Sequence, residues 1–309
     1  MRLKELFSAK DMTVGSPAKR ILEFSIPMLI GNIAQQLYNT ADAMVVGRFV
    51  GTAALSAVGG TTNTILNLLI GFFIGLSSGA TVIISQYFGG GDQSEINRAV
   101  HTAIALSLAG GALLTVVGLI AAPWMLQMLN TPADVMQFAT PYLRIYFVGT
   151  IVNLLFNVGT GILRAVGDSK SPLYVLMFCT VLNIALDPLL IFVFDMGVTG
   201  AATATLVSRV ISGVAITALL TKPTLMLHLK RPFSFRLAFS MLKKIAYIGI
   251  PNGLENGMFQ LGKIMVLSII TSFGTAAIAA NAVSNIIATL QVLPGMSVGM
   301  AVITVCSRC

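Results

Sequence analysis

Charged residues are scarce in this sequence: Asp, Glu, Lys and Arg together make up 10% of its 309 residues, against about 25% in soluble globular domains. This shortage excludes an ordinary soluble domain, and a hydrophobic content of 56% excludes a disordered chain. Cysteine and histidine are rare too, with 3 and 2 residues. Because the histidines lie far from the two cysteines at the C-terminal end, no four-ligand metal site is expected.

Enzyme signatures are also missing from the sequence. It contains neither a phosphate-binding loop nor the motifs of zinc proteases and serine hydrolases. We therefore expect no enzymatic activity, and no transport step powered by ATP bound to this chain.

Long uncharged stretches are the most prominent feature that is present. Residues 49–91, 102–133 and 264–307 contain no Asp, Glu, Lys or Arg. Since a membrane-spanning helix needs about 20 apolar residues, these stretches predict an all-α polytopic membrane protein. Glycine, proline and charged residues divide the apolar sequence into eight predicted helices, at residues 20–46, 54–82, 96–122, 138–163, 171–194, 199–221, 243–272 and 276–305.

The basic residues fall almost entirely on one side of these predicted helices. The exceptions are Arg48 on the opposite side, and Arg144, Arg209 and Lys263 within the helices. Because cytoplasmic loops are enriched in Lys and Arg, this asymmetry predicts a cytoplasmic N-terminus and a multi-pass protein of the cell membrane. The net charge of +8 is thus explained by orientation in the lipid bilayer, and no nucleic-acid partner is expected.

An internal repeat is indicated by three short motifs. Six predicted helices separate the copies, and an even number preserves orientation, so the repeats are predicted to be parallel. A second copy should contain six helices, yet about two follow, so we expect a C-terminally truncated sequence. The motifs are Ser25-Ile26-Pro27 with Gly249-Ile250-Pro251, Gln36-Leu37 with Gln260-Leu261, and Gly51-Thr52-Ala53-Ala54 with Gly274-Thr275-Ala276-Ala277.

This repeat predicts the organisation of the chain. A complete six-helix N-terminal lobe should occupy residues 1–221, followed by a basic cytoplasmic linker at 222–244. The first two helices of a second lobe should occupy residues 245–309.

Polar residues recur at helical spacing in the first predicted helix, where Asn32, Gln36, Asn39 and Asp42 form one stripe. Asp42 lies a few residues before Arg48, so one interpretation is a solvated helix end. The other is a carboxylate that faces an aqueous cavity, because ionisable residues within membrane helices are costly and usually mark ion or substrate pathways.

A second polar face occurs in the fifth helix, where Asn183 and Asp187 are four residues apart and Pro188 follows. Hydrogen bonding between helices would explain Asn183, whereas the acidic Asp187 favours a functional role. In the fourth helix, Asn153 and Asn157 form a similar pair. Helix–helix hydrogen bonding and cavity lining explain these two residues equally well.

Two aspartates that converge inside a membrane protein cannot both be ionised cheaply. If Asp42 and Asp187 meet, the pair would hold a proton near neutral pH or would jointly bind Na⁺ with nearby Asn and Thr oxygens. Pro27 lies inside the first helix, where it removes a backbone hydrogen bond and predicts a kink that could act as a hinge.

A series of longer motifs runs in order through the N-terminal lobe. They are Pro27 with Gln-Gln-Leu-Tyr-Asn-Thr-Ala-Asp at 35–42, Val-Gly-Thr-Ala-Ala-Leu at 50–55, Gly-Ile-Leu-Arg-Ala-Val-Gly-Asp at 161–168, Leu-Asn-Ile-Ala-Leu-Asp-Pro at 182–188 and Gly-Val-Thr-Gly-Ala-Ala-Thr-Ala-Thr at 197–205. With these motifs, the chain resembles the multidrug and toxic compound extrusion (MATE) family along its whole length, in the DinF-like prokaryotic branch.

The resemblance implies twelve helices in two lobes around a central cavity, and export of bulky, often cationic drugs in exchange for H⁺ or Na⁺. It implies no cofactor besides this coupling ion, and we expect a monomer. The ion-coupling cluster of the DinF-like branch corresponds to Asp42, Asn183, Asp187 and Thr203, and the bend of the first helix to Pro27. The predicted substrate cavity comprises Gln36, Tyr38, Asn39, Asn153 and Asn157.

Two alternatives remain open on the sequence. The first is a flippase of related architecture that moves a lipid-linked saccharide. Its pyrophosphate would need several basic cavity residues, for which only Arg144, Arg209 and Lys263 are candidates. The second is an inactive, truncated membrane fragment, which a chain with only two helices of its second lobe favours.

Overall fold

A computed structural model describes residues 17–221 and 238–307 of the chain. These residues form eight long helices and contain no strand, which confirms the predicted all-α fold. Residues 222–237 of the predicted linker lie outside the described part, and its last residues already belong to α7. The helices are α1 (Pro17–Phe49), α2 (Thr52–Gly89), α3 (Gln93–Met128), α4 (Ala133–Val148 and Thr150–Ala165), α5 (Lys170–Val193), α6 (Gly197–Leu220), α7 (Phe239–Thr271) and α8 (Thr275–Cys306).

Most of these helices are long and apolar enough to cross a membrane. Among the described residues, α2, α3, α5, α6 and α8 qualify singly, and the two halves of α4 qualify together as one broken span. Helices α1 and α7 are more polar because of their amide and charged residues. At 33 residues each, they would extend about 50 Å, more than the roughly 30 Å of a bilayer core.

Three of the helices depart from regular α-helical geometry. Helix α4 bends by 52° at Gly149, between its two halves, where the sequence predicted one continuous helix. Residues Ser56–Thr62 of α2 and Leu189–Val193 of α5 are π-helical. Such segments widen the helix and occur frequently at functional sites, and the second of them directly follows Asp187 and Pro188.

Five of the N-terminal helices, α1, α2, α4, α5 and α6, share a compact apolar cluster close to the two predicted acidic residues. It contains Val46 of α1 and Ile191 of α5, one helical turn beyond Asp42 and Asp187, together with Tyr142 of α4 and Ala201 of α6. Small residues along α6 allow α4 and α5 to pack closely against α6. The acidic residues are therefore held on well-packed helices and not on mobile loops.

The internal repeat is visible in the backbone. Gly51 precedes α2 with φ 114° and ψ 176°, and Gly274 precedes α8 with φ 90° and ψ 179°. A side chain at either position would meet no atom within 4 Å, so glycine is required by the positive φ and not by lack of space. The matching turns support the parallel repeat that the sequence motifs predicted.

Helix α7 packs closely against α2 through glycines. A Cβ atom built on Gly75 would lie 2.4 Å from the backbone of Gly253, so the two helices touch backbone to backbone at this point. The side chain of Asn252 hydrogen-bonds to Ser78, and Lys244 Nζ donates to Tyr87 Oη at 2.6 Å. These contacts join the N-terminal lobe to the first helix of the second repeat.

Helix α8 packs against α1 and against the beginning of α2. Asn32 Nδ2 of α1 donates to Ser297 Oγ at 2.9 Å, and Ser56 Oγ of α2 donates to the carbonyl oxygen of Thr275 at 2.9 Å. The helix that carries Asp42 is part of the N-terminal lobe and also contacts α8 of the second repeat.

Candidate functional site

Asp42 and Asp187 lie side by side inside the N-terminal lobe. They project from α1 and α5, and their side chains are 5% and 0% exposed. Their carboxyl groups are within reach of a hydrogen bond to each other, which can form only when one of them carries a proton. Asp42 Oδ1 and Asp187 Oδ2 have no hydrogen-bond partner among the described residues.

Asn183 lies one turn before Asp187 on the same face of α5. Its Nδ2 donates to Asp187 Oδ1 at 3.4 Å, and its Oδ1 has no partner within the described part of the chain. Pro188 has no backbone N–H, and the π-helical turn that follows also interrupts the regular hydrogen-bond pattern. The structure thus brings three of the four residues of the predicted ion-coupling cluster together.

The hydroxyl group beside this pair comes from Thr205. Tyr38 Oη donates to Thr205 Oγ1 at 2.8 Å, and the Thr205 hydroxyl lies within hydrogen-bonding reach of Asp42. Thr203, the residue predicted from the family resemblance, donates to the carbonyl oxygen of Thr199 in its own helix at 2.7 Å. The Tyr38–Thr205 hydrogen bond therefore joins α1 to α6 next to the acidic pair.

Arg209 of α6 is a further member of the site. Its guanidinium group hydrogen-bonds to Asn153 Oδ1 and donates from Nη2 to Tyr146 Oη at 3.3 Å. It also interacts electrostatically with Asp42 and lies within hydrogen-bonding reach of Tyr38. In the sequence, Arg209 is recognisable only as a single charge in an otherwise uncharged predicted helix.

The residues predicted to line a substrate cavity occupy different environments. Gln36, Tyr38 and Asn153 are buried, and Asn153 is engaged by Arg209. Asn39 is exposed on α1. Asn157 Nδ2 donates to the Asn153 carbonyl oxygen at 2.8 Å and lines a mostly apolar cleft between α2, α3 and α4.

Pro27 is buried where α1 meets α8. The neighbouring Phe24 and Met28 pack against Ala301 and Val305 of α8. Helix α1 continues without interruption through Pro27. The hinge role therefore stays a prediction that concerns movement.

The basic residues considered for a flippase contact different parts of the protein. Arg209 belongs to the acidic site, whereas Arg144 is exposed on α4. Lys263 Nζ lies 4.9 Å from the ring centroid of Phe259 on its own helix. These contacts do not gather the three residues around a common anion site.

The fold and the site together define a class of protein. Apolar helices of spanning length surround ionisable and amide groups that are buried in the interior, as in polytopic helical membrane proteins with an internal ion or substrate pathway. The MatE family profile matches residues 27–189. The chain belongs to this family.

Known relatives agree with this assignment. The chain is 32% identical over 300 residues to the probable multidrug resistance protein YpnP of Bacillus subtilis, covering 95% of this chain and 65% of that protein. It is 26% identical to the probable multidrug resistance protein NorM of Thermotoga maritima, covering 94% of this chain and 62% of the relative. The chain thus spans somewhat less than two thirds of the length of these relatives, which are named for drug resistance and not for an enzymatic reaction.

Solved structures show the same fold. An outward-facing multidrug resistance MATE transporter of the MOP superfamily superposes with a TM-score of 0.85 at 29% identity. The match covers 94% of this chain and 64% of that transporter. The eight helices therefore correspond to one complete six-helix lobe and the first two helices of a second.

Replacing Thr205 with Val is expected to lower the midpoint of thermal unfolding of the purified protein. The change leaves the buried Tyr38 hydroxyl without its acceptor, at a cost of about 1–3 kcal/mol for a buried group. Thr203→Val is the matched control and should change the midpoint little, since within the described part of the chain the Thr203 hydroxyl bonds to its own helix. Equal shifts for the two variants would contradict the position of Thr205 beside the acidic pair.

Proposed function

We propose that this chain acts in a secondary active transporter that exports bulky, often cationic organic compounds in exchange for H⁺ or Na⁺. The observation that carries the proposal is the buried Asp42–Asp187 pair. Membership of the MatE family and the names of the relatives support drug export as the activity. Ion coupling rests on the chemistry of the pair.

The pair is suited to couple ion binding to a change of shape. A buried carboxyl pair is stable with one proton or one small cation, and it becomes costly when both groups are ionised without a partner. Asp42 lies on α1, which also contacts α8 through Asn32. A change in the charge of the pair would therefore act on α1, the helix that contacts both repeats, and Pro27 would be its hinge.

The substrate would bind between the repeats and outside the acidic pocket. Asn39 of α1 and the apolar side chains Met258 and Phe259 of α7 are exposed. Apolar and aromatic surfaces with a few amide groups suit bulky organic cations, which aromatic rings attract through cation–π contacts. Arg209 hydrogen-bonds to Asn153 and Tyr146 of the N-terminal lobe and is not part of this surface.

The transporter would lie in the prokaryotic cell membrane with its N-terminus in the cytoplasm, as the distribution of basic residues indicates. It would work as a monomer and would need no cofactor besides the coupling ion. Its partners would be the lipid bilayer and the exported compound.

The direct experiment reconstitutes the 309-residue chain into liposomes. We expect a fluorescent organic cation to accumulate against its gradient when a pH or Na⁺ gradient of the correct direction is imposed, and no accumulation in protein-free liposomes. Absence of transport under both gradients would contradict the function proposed for this chain. Thermal stabilisation by a pyrophosphate lipid, but not by drug cations, would favour the flippase instead.

A further inference from the structure

Two charged side chains lie in the middle of α7. Glu255 and Lys263 are exposed, and neither forms an ion pair within the described part of the chain. Helix α2, against which α7 packs, contains no charged residue. Charged residues in the middle of membrane helices face a water-filled cavity or the helix bundle and not lipid. The side of α7 that carries these two residues therefore faces water.

A hydrogen bond shows which side of α7 this is. The side chain of Asn252 hydrogen-bonds to Ser78 of α2. At about 100° per residue, Phe259 and Lys263 lie within about 20° of Asn252 around the helix axis. Glu255 lies within about 60° of the same direction. The two charged residues are thus on the side of α7 that borders α2.

Helices α2 and α7 separate beyond their glycine contact. A Cβ atom on Gly75 would lie 2.4 Å from the backbone of Gly253. One helical turn away on each helix, a Cβ atom on Gly71 or on Gly257 would meet no atom within 4 Å. A cleft between the two helices therefore opens beside the turn of α7 that carries Phe259.

Three residues spaced four apart form a row on this side of α7, which we call the charged row: Glu255, Phe259 and Lys263. Lys263 Nζ lies 4.9 Å from the ring centroid of Phe259, so the ammonium group rests against the ring. The two charged positions are about 12 Å apart along the helix axis. The charged row presents a negative group, an aromatic surface and a positive group in that order, and its net charge is zero.

We propose that the charged row binds zwitterionic compounds that carry an ammonium group and a carboxylate group at opposite ends of an aromatic core. The ammonium group pairs with Glu255, the carboxylate pairs with Lys263, and the core packs against Phe259. A ligand with only a positive charge is repelled by Lys263, and a ligand with only a negative charge is repelled by Glu255. This inference deepens the proposed function, on which its meaning for export rests.

The experiment measures dissociation constants of the purified chain by equilibrium dialysis. The zwitterionic probe is a biphenyl with an aminomethyl group at one end and a carboxylate at the other. Its methyl ester carries only the positive charge, and its N-acetyl derivative carries only the negative charge. The zwitterion should bind roughly tenfold more tightly than either derivative, because it forms a second ion pair and avoids repulsion in a partly aqueous cleft.

Substitutions in the charged row should change this preference in a predictable direction. Lys263→Gln should bind the zwitterion roughly tenfold more weakly and the methyl ester more tightly, so that the preference between them disappears. Glu255→Gln should weaken binding of both the zwitterion and the methyl ester and should strengthen binding of the N-acetyl derivative. Lys243→Gln removes an exposed lysine near the beginning of the same helix, and this matched control should keep the preference of the original chain.

Two results would overturn the inference. One is equal affinity of the original chain for the zwitterion and its methyl ester, a comparison that does not depend on any variant. The other is a folded Lys263→Gln variant that keeps the preference for the zwitterion. Binding to the purified chain needs no ion gradient, so failure of the proposed function is detected separately, by the absence of drug exchange in liposomes.

Discussion

Replacing Asp42 with Asn is expected to abolish ion-driven drug exchange in liposomes, down to the level of protein-free vesicles. Asn has nearly the same shape as Asp but cannot bind or release a proton, so the pair loses the change of charge that would drive the cycle. Asp187→Asn should have the same effect, because either substitution leaves a single carboxyl group in place of the pair. Drug accumulation under an imposed pH gradient is the measurement.

Asp195→Asn is the matched control for this prediction. Asp195 is an exposed aspartate just after α5, with φ 52°, a conformation that Asn also tolerates. The drug-exchange activity of the Asp195→Asn variant should equal that of the original chain. Wild-type exchange by a folded Asp42→Asn variant would refute the coupling role of the pair, and reduced exchange by Asp195→Asn would show that the assay reports general damage.

Replacing Gly75 with Ala is expected to lower the thermal stability strongly. The new Cβ would lie 2.4 Å from the backbone of Gly253, and no rotation of a flexible side chain can relieve this clash. Helices α2 and α7 must move apart, and overpacking of this kind costs about 1–3 kcal/mol or more. The midpoint of thermal unfolding of the purified protein is the measurement.

Gly71→Ala provides a control in the same helix, one turn earlier. A Cβ at Gly71 meets no atom within 4 Å, and Ala is favoured over Gly in a helix by about 1 kcal/mol. Gly71→Ala should therefore raise the unfolding midpoint while Gly75→Ala lowers it. A rise for both variants would contradict the close contact between the two helices.

Much of the fold could be predicted from the sequence. The uncharged stretches are long enough to cross a bilayer. Inside the bilayer every backbone N–H and C=O group must be hydrogen-bonded within the protein, so these stretches form helices. The eight helices were predicted for this reason, with boundaries that differ by several residues, most of all at Gly89 and Met128. The 52° break in α4 was missed because a single glycine, Gly149, gives no clear signal in an apolar run.

The site was predictable only in part. Asp42, Asn183 and Asp187 could be selected because an acidic or amide residue in an apolar helix is costly and helical spacing places Asn183 and Asp187 on one face. Thr205 and Arg209 could not be selected in this way. Their roles depend on which helices are neighbours and on how each helix is rotated, and spacing along one helix contains no information about either.

By itself, the sequence determined that this protein is a polytopic helical membrane protein with a repeat and with acidic groups in two of its helices. These properties follow from local chemistry, since hydropathy and helical period act within each segment. Only the tertiary structure decided that α1 and α5 present their aspartates to each other and that Arg209 of α6 interacts electrostatically with Asp42. Contacts between helices depend on the packing of residues that are far apart in the chain. Burial in a medium of low dielectric constant strengthens the interactions of the few charged groups involved.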